Sequence, residues 1–291
     1  MYRRPRTVAS RSVVASSLIV IALAGCAGDT TAVGFRGADG TPSASAPSGN
    51  PGANPAPGNT AKPRNRRHDT RWYVDRLPTF GPAPAPELVR FPHEPGRAPW
   101  VKRIPTQQNV AFLTIDDGWI KRPEALDLLR AARVPVSLFL TVNAMKDNPG
   151  YFRALQGIGA MIEAHTVTHR MLRGMSYEGQ RREICGSSDW LAAQYGRRPT
   201  LFRPPFGEKD DATLRAAHDC GMAACFFWTE TVDKGKVFYQ TAEKRIQHGD
   251  IILMHFREAY AEDFLAALTA IKAAGLTPAL LESYVSVHSD G

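Results

Sequence analysis

The chain has 291 residues, 43% of them hydrophobic, which is enough for one substantial buried core and best fits a single folded domain with additional segments. Its net charge of +8 is almost entirely N-terminal: the first hundred residues hold a surplus of seven basic side chains, and the remainder is close to balanced. A nucleic-acid-binding domain would carry a basic face on its folded part, so this distribution argues against nucleic acid as a partner.

Residues 1–26 read as a processing signal. Arg3, Arg4, Arg6 and Arg11 precede an apolar run from Val13 to Ala24, which is too short to cross a hydrocarbon core of roughly 30 Å comfortably. The ending Leu23-Ala24-Gly25-Cys26 resembles a bacterial lipobox, which implies cleavage before Cys26 and diacylglycerol on its thiol. The mature chain is then expected outside the cytoplasm, held to the membrane by that lipid.

Residues 27–70 read as a disordered tether. From Gly37 to Pro63 there is no Leu, Ile, Val, Met or aromatic residue. Such a stretch cannot bury enough apolar surface to offset its ordering entropy. A coil of about forty residues spans roughly 30–35 Å, and proline lengthens it. Residues 71–108 regain aromatics among many prolines and are expected to lie irregularly against the domain that follows.

From Asn109 the pattern changes to short apolar runs alternating with amphipathic ones. Strands are predicted at Val110–Ile115, Val136–Val142, Ala160–Glu163, Leu201–Phe202, Ala223–Trp228 and Asp250–His255, with a last one near Ala279–Leu281. Helices are predicted at Pro123–Arg133, Tyr151–Ile158, around Ala212–Asp219, at Thr241–Gln247 and at Ala261–Ala274. A longer helix is capped by Ser176 and ended by Gly196. Repeated βα units predict parallel strands with helices outside. About seven strands within residues 109–291 favour an α/β fold of the distorted (β/α)7-barrel type over a doubly wound sheet.

If Cys26 carries lipid, Cys185, Cys220 and Cys225 leave an odd number in an oxidising compartment. One disulfide and one free thiol is the simplest count. Cys185 and Cys220 fall on consecutive predicted helices flanking the Leu201 strand, which favours that pair over Cys185 with Cys225.

The conspicuous polar residues follow the C-terminal ends of predicted strands: Asp116-Asp117-Gly118, His165-Thr166-Val167-Thr168-His169, Arg203-Pro204-Pro205-Phe206-Gly207 and His255. In a parallel βα barrel those ends converge on one face, where active sites are built. If residues 165–169 form one helical turn, both imidazoles project from one face and can share a metal with the Asp117 carboxylate. Adjacent aspartates near the interior cannot both ionise cheaply, and a cation and an arginine would relieve the conflict. Taken alone, Asp116-Asp117-Gly118 is equally well read as a turn.

In this order, Thr114-Ile115-Asp116-Asp117-Gly118, the His165–His169 run, Arg203-Pro204-Pro205-Phe206-Gly207 and Leu253-Met254-His255 resemble the motifs of the polysaccharide deacetylase (NodB-homology) family, over roughly Val110 to Tyr284. The resemblance implies a distorted barrel that hydrolyses N- or O-acetyl groups on an acetylated polysaccharide such as peptidoglycan or a chitin-type oligomer, acting as a monomer. It implies Asp116 as general base and His255 as general acid. Asp117, His165 and His169 would be ligands of a divalent ion, Zn²⁺ first among them. Arg203 would pair with Asp116, Leu253 would line the acetyl pocket, and Phe206 and Trp228 would contact substrate.

One motif departs from the family. Its fourth, an Asp-x-x-Asp-Trp stretch after the fifth strand, corresponds here to Trp228-Thr229-Glu230-Thr231-Val232-Asp233-Lys234. Glu230 or Asp233 can replace the carboxylate that would orient His255, with Glu230 favoured because it lies nearer the strand end; each read separately is equally an ordinary loop charge, in which case His255 works without a carboxylate from this segment.

Overall fold

The computed structural model describes residues 68–92 and 94–286. The expected signal segment, Cys26 and the tether up to residue 67 lie outside these residues. In chain order the elements are α1 (Thr70–Val74), β1 (Trp100–Val101), β2 (Val110–Asp117), α2 (Glu124–Ala132), β3 (Ser137–Leu140), α3 (Val142–Met145), α4 (Pro149–Gln156) and β4 (Met161–Ala164). There follow α5 (Tyr177–Tyr195), β5 (Leu201–Phe202), α6 (Asp211–Asp219), β6 (Ala224–Phe226), β7 (Glu230–Asp233), β8 (Lys236–Tyr239), β9 (Ile251–His255), α7 (Tyr260–Ala273) and β10 (Thr277–Pro278). No helix among them is long and apolar enough to cross a membrane.

The strands hydrogen-bond in the order β1-β6-β5-β4-β3-β2-β9-β7-β8, and β10 pairs with the start of β2. All pairings along this path are parallel except the β7–β8 hairpin. The result is a curled parallel sheet with helices outside, an α/β distorted barrel. β2 sits mid-sheet and is buried at every position, as expected of a strand covered on both faces.

Alternation along the strands sorts the core into two layers. Leu113 and Ile115 of β2, Leu138 and Leu140 of β3, and Ile252 and Met254 of β9 pack outward against Leu128, Phe152, Ile184, Leu191, Phe264 and Leu268 of the helices. Phe112, Phe139, Leu201, Phe226 and Ile251 form the inner layer with Leu281 and Tyr284 of the C-terminal 3-10 turn. Continuing the inner rows by two residues, or by four on β2 and β9, reaches the strand ends, so Asp116, Arg203, Trp228, Leu253 and His255 fall on the concave face.

Helix α5 begins at Ser176, whose side chain accepts from the Gly179 amide, and ends at Gly196 with φ 76°, the left-handed conformation glycine adopts without strain. A disulfide joins Cys185 of α5 to Cys220 at the end of α6, and Cys225 is a buried free thiol.

Several expectations are corrected. Thr241–Gln247 forms bends and irregular backbone, not a helix. Only Ile246 of that stretch is buried, so there is no apolar stripe to hold a short helix that is marginal by itself. The last strand is Thr277–Pro278 instead of Ala279–Leu281, whose end enters the Leu281–Tyr284 turn. The region 71–108 contributes α1 and β1, and β1 extends the sheet beside β6. The segment after Trp228 is the β7–β8 hairpin, closed by Lys234 and Gly235, both at positive φ, as two-residue loops require to match strand twist.

Candidate active site and metal centre

Asp116 ends the inner row of β2 and stands opposite His255 in the β2–β9 register. Its Oδ1 accepts from Arg203 Nη1 at 2.6 Å. The same nitrogen donates to Thr114 Oγ1 at 2.8 Å, and Nη2 to the Phe227 carbonyl at 3.2 Å. The Arg203 guanidinium is fully buried beneath Trp228 and beside Phe139. Burial of an unpaired cation would be prohibitive, so Arg203 and Asp116 hold each other in place. Thr114, which the sequence reading did not single out, fixes the arrangement by donating to the Ile252 carbonyl.

Asp117 would point outward by alternation, but its φ of 78° breaks the pleat and turns the side chain back to the concave face. Gly118 follows at φ 109°, and a Cβ there would lie 2.9 Å from the Phe152 ring. Asp117 Oδ1 is 3.1 Å from His169 Nε2 and 3.6 Å from His165 Nε2. Burial works to raise the Asp117 pKa, yet the neighbouring His165 and His169 imidazoles hold it far below the usual carboxylate range. Asp117, His165 and His169 are the one group of potential metal ligands among the described residues, with their donor atoms within 4.8 Å of one another.

Residues 165–169 are not the expected helical turn. Thr166 and His169 take positive φ values of 70° and 60°, and the loop brings the imidazoles to a centroid distance of 5.0 Å. His165 Nδ1 lies 2.6 Å from the Arg203 carbonyl, which selects the Nδ1–H tautomer and leaves the Nε2 lone pair facing Asp117. Glu183 of α5 grips the loop from behind. One of its oxygens accepts from the amides of Val167 and Thr168, and the other from the Thr168 hydroxyl. Glu183 was missed because no local motif links a mid-helix glutamate to a loop on a neighbouring strand.

The Asp117, His165 and His169 donors suit a divalent ion. Asp117 Oδ1 is buried without a conventional hydrogen-bond partner, the state expected of a ligand oxygen whose partner is a cation. The His165 tautomer has the second-sphere support usual for a metal-binding imidazole.

Phe206 is exposed at φ 62° on the turn after Arg203-Pro204-Pro205, its ring 4.9 Å from that of His169. Gly207 packs so closely under Phe227 that a Cβ would come within 2.2 Å of that ring. Leu253 is buried on the concave side of β9, and Trp228 stacks on Phe227 at 4.1 Å.

The expected partner of His255 is not there. Glu230 pairs with Ile252, three positions below His255, and accepts from Thr229 Oγ1 at 2.8 Å. Burial and the adjacent Asp250 push its pKa up to about 8. Asp250 is in turn bridged to Arg103 at 2.6 Å. Asp233 accepts from Arg257 at 3.3 Å. His255 Nδ1 is buried with no hydrogen-bond partner among the described residues, and burial lowers the pKa of the ring. Glu230 was favoured on linear distance from Trp228, but β7 runs parallel to β9 and carries Glu230 to the wrong level.

Residues 103–225 match the polysaccharide deacetylase family profile. An uncharacterized protein of Streptomyces coelicolor is 39% identical over 192 residues, 64% of this chain and 77% of that protein. A peptidoglycan-N-acetylglucosamine deacetylase of Bacillus cereus is 27% identical, over 63% of this chain and 89% of its own length. Among solved structures, a CE4-family pseudoenzyme from Bacillus anthracis superposes with a TM-score of 0.56 at 21% identity, covering 63% of this chain and 67% of that one. The chain belongs to the polysaccharide deacetylase family.

Proposed function

We propose that this chain is a metal-dependent hydrolase that removes acetyl groups, N-acetyl foremost, from an extracytoplasmic polysaccharide of the peptidoglycan or chitin-oligomer type. The observation that carries the reading is the pairing of two unlike aspartates. Asp117 offers a buried, unpartnered oxygen between two imidazoles, while Asp116 beside it is held by Arg203. The His-His-Asp donor set favours zinc. An ion held there would act as a Lewis acid toward water and the acetyl carbonyl.

The chain's own groups divide the proton work. Asp116, oriented by Arg203, takes the proton of the attacking water. His255, its register partner, gives a proton to the departing amine. In the Arg203–Phe206 turn the two prolines have no N–H and the Arg203 amide donates to the Ala164 carbonyl, so the Phe206 backbone N–H is the donor left for the developing oxyanion, and a phenylalanine side chain at 206 leaves it intact. Leu253 supplies an apolar wall for the acetyl methyl. The lipobox-like N-terminus supports placing the domain outside the cytoplasm, tethered through lipid on Cys26.

Acetate release is the test, measured on acetylated chitooligosaccharides, peptidoglycan and acetylxylan with and without chelator. Chelator-sensitive release from an N-acetylated glycan supports the proposal, and release from acetylxylan alone makes the protein an O-acetyl esterase. Because His255 lacks a carboxylate partner, a second reading is a glycan-binding protein that keeps the metal cleft without turnover. Binding with no acetate release from any substrate would establish it.

A further inference from the structure

An aromatic ridge leads away from the metal ligands along the rim of the barrel. It starts at Phe206 beside His169, passes the stacked Phe227–Trp228 pair packed on Gly207, and reaches Trp100, whose ring lies 5.8 Å from that of Phe227. Two ammonium groups flank its far end: Lys102 Nζ is 5.8 Å from the Phe227 ring centroid and Lys209 Nζ is 6.0 Å from that of Trp100. Neither lysine has an ion-pair partner among the described residues.

The neighbouring acids are engaged elsewhere. Glu208 is bridged to Arg173 at 2.9 Å and Asp211 to Arg97 at 3.3 Å. Asp210 caps α6 and also accepts from Gly174 and Gln180. The ridge therefore carries two positive charges with no ion-pair partner among the described residues, beside one exposed ring, Phe206, and the half-buried rings of Phe227, Trp228 and Trp100. Two unpaired ammonium groups within 6.0 Å of these rings complement an anion carried by a sugar that packs along the ridge.

We infer that the Phe206–Phe227–Trp100 ridge is a glycan subsite in which Lys102 and Lys209 select a strand bearing carboxylates. This rests on the proposed deacetylase reading and narrows it to anionic acetylated glycans. The carboxylate would sit one or more sugars from the reacting acetyl group, so the lysines act through binding and not through the chemical step.

The test compares three probes on the zinc-loaded protein: a peptidoglycan glycan strand with its lactyl carboxylates, the same strand with those carboxylates reduced to alcohols, and a neutral N-acetylchitooligosaccharide. The double variant Lys102→Gln/Lys209→Gln is expected to raise KM about threefold to tenfold for the anionic strand, with kcat unchanged and the difference shrinking at high salt. The other two probes should show no change. An equal effect on all three, or none on the anionic strand, overturns the inference. If no probe is deacetylated, calorimetric binding of the same strands still decides it: preference for the carboxylated strand that the double variant loses supports the subsite while the catalytic reading fails, and absence of that preference overturns both.

Discussion

Asp116 and Asp117 are consecutive in the chain yet face different partners, Asp116 the buried Arg203 guanidinium and Asp117 the imidazoles of His165 and His169. The break comes from the positive φ at Asp117, which places both carboxylates on the concave face. The two carboxylates can stand this close because Asp116 pairs with the Arg203 guanidinium while Asp117 faces two imidazoles with which it would hold a cation.

That division separates two classes of variant. Asp117→Ala, His165→Ala and His169→Ala should each lose most bound zinc and nearly all acetate release. Asp116→Asn should keep the zinc and lose turnover, because it removes the proton acceptor without touching a ligand. Metal content by elemental analysis alongside acetate release distinguishes them. Loss of zinc in Asp116→Asn at neutral pH would reverse the two assignments.

Glu183 should matter to the metal without touching it. Glu183→Ala leaves the Val167 and Thr168 amides unpartnered and frees the loop between His165 and His169. Zinc affinity is expected to fall about tenfold to a hundredfold, the usual effect of removing outer-sphere support. Competition with a chromophoric chelator reads this directly, and an affinity equal to the parent's would show that the loop holds itself.

Glu230→Gln should change stability and not turnover. Folding raises the Glu230 pKa from 4.5 to about 8. The folded state therefore retains a proton that the unfolded state releases, and stability falls as pH rises from about 4.5 to about 8. The glutamine variant lacks this loss. Its melting temperature should equal the parent's near pH 4.5 and exceed it increasingly up to pH 8, with kcat within about twofold of the parent. A melting-temperature difference that does not grow with pH would count against the buried Glu230–Asp250 contact, and a large fall in kcat would restore Glu230 to the site.

Membrane attachment is testable from the N-terminal sequence. Cys26→Ser should move the protein from the membrane fraction to the medium, since a lipidated thiol is the proposed anchor. Retention on the membrane would refute that anchor.

The strands that carry the site were legible because they are apolar but for Thr114 and end abruptly in charged or ionisable residues: Val110–Ile115 before Asp116, and Ile251–Met254 before His255. Convergence of Asp117, His165 and His169 followed from strand ends meeting on one face. What was not legible depends on contacts between segments. The helical turn expected for residues 165–169 is overridden by left-handed Thr166 and His169, made possible by the grip of Glu183. Whether Glu230 could reach His255 depended on the level at which β7 pairs with β9, which linear spacing does not reveal. The β7–β8 hairpin did have a signal, the Gly235 turn between two short segments, but its strands are only four residues each.

Among the described residues, four of the six non-glycine positions with positive φ are Asp117, Thr166, His169 and Phe206. A left-handed backbone costs an ordinary residue roughly 1 kcal/mol, and glycine at the same place is relieved of it. A library of variants sorted on melting temperature alone would thus tend to enrich glycine at the very positions that form the centre, yielding hardier proteins without zinc. Directed evolution toward a thermostable form needs metal retention as a second gate from the first round.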